Sequence, residues 1–204
     1  PHLPVDMVAL GADVWLTSAY KWSGPHVGAL VADPAFLEPL RPDKLAPAPD
    51  EIPWRFETGT PPFADLAGVS AAVDHLAGLA GPPDATGSRR ARIVASMGAV
   101  AAYELDLFTH LHDGLASMDH VEIIGSPTRR TATEYFGIRG RHPTAVAEHC
   151  ARARVNVWSG HMYAWELTGL LGVRDTGGGV RAGLVHYNDE NDVDRLLDAL
   201  DELR

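Results

Sequence analysis

Apolar positions along the chain follow two rhythms. Val14-Trp15-Leu16 and the run from Val27 to Val31 are short apolar stretches bounded by Gly, Pro, Ser and Thr, and they predict strands over 13–17 and 27–31. Residues 3–11 read as a short helix or turn ending at Gly11. Residues 33–41 carry apolar and charged groups in helical rhythm, and Pro34 suits a first helical turn. From Arg41 to Pro62 the chain is rich in proline and charge, which predicts an ordered but irregular surface excursion. Leu66, Val69, Ala72, Val73 and Leu76 then recur on one face of an amphipathic helix from Phe63 to Leu79.

Gly81-Pro82-Pro83 ends that helix and marks an internal boundary. A long helix is predicted over 88–118, with Met97, Val100, Ala101, Leu105, Phe108, Leu111 and Leu115 at helical spacing. Strands are expected at 121–124, 131–138, 155–158 and 180–185, and a helix runs from Pro143 to about Arg154. Asn191 to Leu203 closes the chain as an amphipathic helix with Val193, Leu196, Leu197 and Leu200 on one face. This alternation after residue 84 predicts a small α/β domain, and no segment repeats.

Composition narrows the class. Hydrophobic residues make up 46% and charged residues 22%, enough for a real core. Seventeen Lys and Arg face 27 Asp and Glu, a formal charge of −10, which argues against a nucleic-acid groove or an anionic membrane surface as partner. No apolar run approaches the roughly 20 residues that span a bilayer, and no basic region followed by an apolar core opens the chain, so a cytoplasmic location is expected. Cys150 is the only cysteine, which excludes an internal disulfide and a cysteine-based zinc cluster. The ten histidines have no metal-ligand spacing, and His110 and His112 point apart on a helix. Gly177-Gly178-Gly179 precedes a strand and lacks a following Lys-Ser/Thr, so it reads as a flexible turn and not a phosphate loop.

Four places can carry chemistry. Lys21 sits on a tight connection between two apolar runs expected to be buried; desolvation would favour its neutral amine, the nucleophile that condenses with an aldehyde cofactor. Ser18 and Tyr20 place hydroxyls beside it, within reach of an anion. A lysine on a surface loop between two strands fits the same segment. Thr60 precedes the helix that begins near Phe63, where backbone N–H groups and a hydroxyl form either an anion site or a plain cap. Arg181 stands in the apolar run 180–185, where its planar fork suits a substrate carboxylate or a buried ion pair. Arg55 is open between an ion pair and an interface, Cys150 reads as a small core residue, and Tyr187 and Asn188 as turn formers.

Four ordered stretches carry a resemblance. They are the segment from His2 to Gly28, Arg55-Phe-Glu-Thr-Gly-Thr-Pro61, Trp158-Ser-Gly-His-Met-Tyr-Ala164, and Val180-Arg-Ala-Gly-Leu-Val-His-Tyr-Asn188 with its acidic helix. Together they resemble the class V aminotransferases, fold-type I enzymes dependent on pyridoxal 5'-phosphate (PLP). Ala19-Tyr20 before the lysine, where true desulfurases usually have Gly-His, points to the cysteine desulfurase-like branch. The resemblance implies an α/β fold in which residues 1–83 end the cofactor-binding large domain and 84–204 form the small domain. It implies that Lys21 anchors PLP and moves protons at the substrate Cα. Ser18 and Tyr20 would contact the cofactor phosphate, and Arg181 would hold the α-carboxylate of an amino-acid substrate. Thr60 would reach across a homodimer interface to the partner's phosphate, so that active sites are shared.

His161, Met162 and Tyr163 fall where sulfur-transferring relatives keep a mobile loop with a catalytic cysteine, and this chain has none there. Transfer through a loop persulfide is therefore rejected, and His161 and Tyr163 read either as pocket-lining residues or as an ordinary loop. The expected chemistry is C–S lyase action on a cysteine-type thioether; transamination is the alternative enzyme, and a truncated chain that only dimerises is the alternative of another class. Relatives carry further large-domain sequence ahead of the position matching Pro1. There lie an aspartate that pairs with the pyridinium nitrogen, an aromatic residue that stacks on the ring and much of the phosphate loop; Asp6 is not expected to replace that aspartate.

Overall fold

The computed structural model describes residues 1–81 and 86–204. It divides into two compact units, one of Pro1 with Leu3–Gly98 and the other of His2 with Ala99–Arg204. The boundary expected after residue 83 lies outside the described residues.

In the first unit, β1 (Val14–Ser18) and β2 (Gly28–Ala32) pair antiparallel, with Ser18 opposite Gly28. Their connection is short and internally bonded. A 3-10 turn, Ala19–Trp22, leads to Ser23 in the left-handed region (φ 69°), and the Gly24 N–H donates to the Ala19 carbonyl at 2.8 Å. Gly24 has to be glycine, because a Cβ there would lie 2.8 Å from the Ala19 Cβ and 3.0 Å from its carbonyl oxygen. The two strands were expected to be buried runs, and they are not. Leu16, Leu30 and Val31 are exposed, Leu16 by 72%, because among the described residues no second layer covers these faces of the two-stranded ribbon.

Asp33 caps α1 (Pro34–Leu37), its carboxylate accepting from the Ala35 N–H at 2.8 Å. The helix is four residues long instead of the nine expected, since Pro39 brings no N–H to the ladder and disfavours helix at Glu38. The excursion that follows is organised by Arg55, only 6% exposed, whose guanidinium donates to the carbonyls of Glu38 and Leu40 and pairs with the Glu38 carboxylate at 3.4 Å. Its role is thus internal. α2 (Phe63–Ala77) follows, burying Ala72, Leu76 and Ala77, and packs against the Ala19–Trp22 turn.

α3 (Arg89–Ala116) brings Leu107, Phe108, Leu111 and Leu115 into the second unit's core. That unit is built on an antiparallel sheet of order β3-β4-β6-β5, from β3 (Val121–Ile123), β4 (Thr133–Ile138), β5 (Trp158–Gly160) and β6 (Gly179–Gly183). Side chains alternate across it: Glu134, Phe136 and Ile138 of β4 and Val180 and Ala182 of β6 face inward, and Tyr135 and Arg181 face outward. The inward face packs on α3, α4 (Pro143–Arg152) and α6 (Glu190–Asp201), which supply Val146, Cys150, Val193, Leu196 and Leu200. Burying each such Leu or Phe contributes about 1.5–3 kcal/mol. α6 opens with a capping box, in which Asp189 accepts from the Asp192 N–H and Asp192 accepts from the Asp189 N–H.

Two elements differ from expectation. The strand placed at 155–158 begins only at Trp158, and Val155 is a buried lead-in. α5 (Trp165–Leu170) went unread, since a helix of six residues is too short to show a period. Gly177-Gly178-Gly179 is closely packed, contrary to a flexible turn: a Cβ on Gly178 would lie 2.3 Å from the Gly160 carbonyl carbon, where β5 and β6 meet.

Candidate active-site residues

The expected site residues fall into two groups, one in each unit. In the first, Ser18 ends β1, Tyr20 and Lys21 lie on the 3-10 turn, and Thr60 stands three residues before α2. Tyr20 stacks on His26 with ring centroids 4.7 Å apart, and the Lys21 Nζ lies 5.6 Å from the centre of the Tyr20 ring. Lys21 itself is exposed, so the burial expected of it is not provided by the described residues. The cause is the open ribbon on either side of it.

The donors expected to serve the cofactor are nonetheless unspent. Trp22 donates its indole N–H to Thr17 Oγ1 at 2.9 Å, so Thr17 is engaged and the neighbouring Ser18 is not. Among the described residues no hydrogen bond or ion pair engages the Ser18, Tyr20 or Thr60 hydroxyls or the Lys21 ammonium. Thr60 is not the cap of α2, whose N-cap position is held by Pro62 without a side-chain bond. One amine and three hydroxyls, all free, are donors of the kind that an aldehyde bearing a phosphate takes, so the residues present fit PLP. Asp6 is otherwise occupied: its carboxylate accepts from the Val8 and Ala9 N–H groups at 3.1 Å and pairs with Arg90 at 3.6 Å.

In the second unit Arg181 occupies the middle of the sheet's outward face. It stands directly opposite Tyr135 of β4 on one side and Trp158 of β5 on the other. Its guanidinium has no anionic partner among the described residues, which removes the buried ion pair as its explanation. An arginine is tolerated in this apolar strand because the period of two turns it away from Val180 and Ala182. The Tyr135 hydroxyl donates to the Gly160 carbonyl at 2.7 Å, and burial raises its pKa above the ordinary tyrosine value. Beyond β5, Met162 and Tyr163 both take positive φ (54° and 60°), and the His161 ring meets Trp165 edge-on at 5.3 Å. Tyr163 is 98% exposed.

Cys150 lies in α4, fully buried, and burial pushes its thiol pKa up, away from the reactive thiolate. His110 and His112 serve separate carboxylates, Asp194 at 2.7 Å and Glu134 at 2.6 Å. Among the described residues no three His, Cys, Asp or Glu side chains are grouped to hold a metal ion, and no helix is long and apolar enough to cross a membrane.

The pattern of the family described as "Aminotransferase class-V" matches residues 1–196, taking in both groups of residues. The chain belongs to the class-V aminotransferases. A probable cysteine desulfurase of Pseudomonas putida is 34% identical over 213 residues, spanning 98% of this chain and 48% of that protein. An uncharacterised protein of Mycobacterium tuberculosis is 33% identical over 208 residues, spanning 100% and 50%. The crystal structure of the cysteine desulfurase CsdA from Escherichia coli, 26% identical, superposes with a TM-score of 0.79 over 98% of this chain and 48% of that one. The apo cysteine desulfurase of Thermococcus onnurineus, 24% identical with a TM-score of 0.81, attests the fold alone. This class-V aminotransferase chain spans about half the length of the curated relatives it matches. The family is PLP-dependent.

Trp158 opens the third of the matched stretches. Only the strand register, which a single sequence does not display, sets it beside Arg181.

Proposed function

We propose that this class-V aminotransferase chain belongs to a PLP-dependent enzyme that cleaves the C–S bond of a cysteine-type thioether without storing sulfur on the protein. One observation carries the reading. In a chain with ten more acidic than basic side chains, Lys21 and Arg181 are both left without an anionic partner among the described residues. A cation unpaired amid so many carboxylates is available to a ligand.

When bound, PLP withdraws electrons from the bonds at the substrate Cα. Lys21 anchors it covalently and then serves as base for the Cα proton. Ser18 and Tyr20 would donate hydrogen bonds to its phosphate. Arg181 takes the α-carboxylate in a bidentate grip, and His161 and Tyr163 border the substrate. Nζ of Lys21 would receive the Cα proton, the pair left by the broken Cα–H bond would form a Cα=Cβ double bond, and the thiolate would leave with the Cβ–S pair. The buried Cys150 thiol supports release of that sulfur over its capture. Transamination would use the same first proton transfer and is separated by its products. The working form is proposed as a cytoplasmic homodimer in which Thr60 serves the partner's phosphate.

The test is the visible absorbance of the purified chain titrated with PLP, repeated with Lys21→Ala. A band in the wild type that is absent from the variant supports the assignment, and S-substituted cysteines should then release a thiol and a keto acid. Transfer of the amino group without thiol release would instead select transamination. The exposed Leu16, Leu30 and Val31 favour a second reading, a chain that binds a partner through the ribbon without catalysis. Absence of any band in the wild type would select it.

A further inference from the structure

Arg181 has an aromatic neighbour on each side of the outward sheet face, and the two are in different states. Tyr135 is committed to the fold. Its ring lies over Gly179, where a Cβ would sit 2.7 Å from the Tyr135 Cζ, and its hydroxyl is bonded to the Gly160 carbonyl. Trp158 is uncommitted. It is 66% exposed, and among the described residues its indole N–H has no hydrogen-bond partner and its ring no aromatic one. A single exposed aromatic residue needs no explanation in itself. Trp158 differs by its register, since it stands directly across β5 and β6 from an arginine that lacks an anion.

Cross-strand neighbours on one face have Cβ atoms about 5 Å apart. A carboxylate gripped by Arg181 therefore carries its remaining atoms within reach of the Trp158 ring. We propose that Trp158 is a specificity-determining residue, a flat wall that receives the side chain of the amino-acid substrate, and that the preferred substrate bears an aromatic group, as in an S-benzyl or S-aryl cysteine. This rests on Arg181 as the carboxylate ligand. A side group of this kind stacks on the indole face in an offset or edge-on arrangement, and the contact raises affinity by about tenfold over a small aliphatic group.

Isothermal titration of the 204-residue chain with 3-phenylpropionate and with propionate tests this without cofactor or turnover. The wild type should prefer 3-phenylpropionate by about tenfold. Trp158→Phe should keep the preference and Trp158→Ala should abolish it. Trp158→Leu, which keeps apolar bulk without a flat ring, should lose most of it and stands in if the alanine variant fails to fold. Arg181→Ala should weaken both ligands alike. Equal binding of the two acids by the wild type, or a preference that survives Trp158→Ala and Trp158→Leu, overturns the wall and leaves Arg181 as carboxylate ligand intact. Failure of either acid to bind, or indifference of both to Arg181→Ala, overturns the carboxylate reading and the wall with it.

Discussion

Glu134 is fully buried on the inward face of β4, directly opposite Ala182 and one residue from the position that faces Arg181. Its carboxylate accepts from Arg130 on one oxygen and meets His112 at 2.6 Å on the other, while the Arg130 guanidinium lies 4.3 Å over the Phe108 ring. Glu134→Ala would leave that guanidinium against an aromatic ring with no anion. Breaking a fully buried pair costs about 3–5 kcal/mol. Here the Arg130 side chain keeps 19% of its exposure and His112 37%, so water recovers part of the loss. We expect about 3 kcal/mol for Glu134→Ala and somewhat less for Glu134→Gln, which keeps shape and one acceptor. Replacing both partners, as Glu134→Leu with Arg130→Met, should cost less than either single change, because no charge is stranded. Urea unfolding followed by far-UV circular dichroism measures this, read from the midpoint at constant slope. A loss below about 1 kcal/mol for Glu134→Ala, or a double variant weaker than both singles, would show that the pair does not hold the sheet.

The Asp192 carboxyl is held below the usual carboxylate range, first by the Asn188 side-chain amide and then by the Asp189 N–H. Its folded pKa is therefore lower than its unfolded one, so its contribution is complete above the ordinary aspartate range and is lost as pH falls through the folded value. Asp192→Ala should lower stability near neutral pH and flatten the acid limb of the stability profile; an unchanged acid limb would refute the assignment. Cys150 should resist a thiol reagent in native protein and react at once in urea, as its buried and raised thiol demands. Rapid labelling of the native chain would place it at the surface, contrary to the packing of α4.

Much of the second unit was legible because its elements carry clear periods. α6 announces itself by Val193, Leu196 and Leu200, and β4 by its Thr-, Tyr- and Phe-bearing run up to Ile138, although its inward-facing Glu134 breaks the apolar alternation that its burial follows. The first unit was harder. Val14-Trp15-Leu16 looks like a core strand by composition, yet composition reports what a segment prefers and not whether another layer covers it. The same gap explains Lys21, read as shielded and found exposed. Arg181 was picked out for a sound reason, an arginine in an apolar run, but the two alternatives for it differ by the face it occupies. Facing is decided by register with β4 and β5, strands 46 and 23 positions away in the chain by the pairing of Tyr135 and Trp158 with Arg181. Local pattern does not carry such pairings.

The Tyr135 ring, the Gly179 backbone beside it and the Gly160 carbonyl it bonds, with Gly178 packed against Gly160, form a closed set from the standpoint of inheritance. Gly179 admits no side chain while that ring is present, Gly178 admits none while β5 runs beside it, and the Tyr135 hydroxyl holds the carbonyl of Gly160. Gly179 is blocked twice, by the Tyr135 ring and by the Phe136 carbonyl oxygen, which would lie 2.9 Å from a Cβ there, so shrinking Tyr135 alone does not let Gly179 grow. Libraries that vary residue 158 or 181 are free of this constraint and can be randomised singly, whereas residues 178 and 179 meet neighbouring backbone and have to be held as glycine.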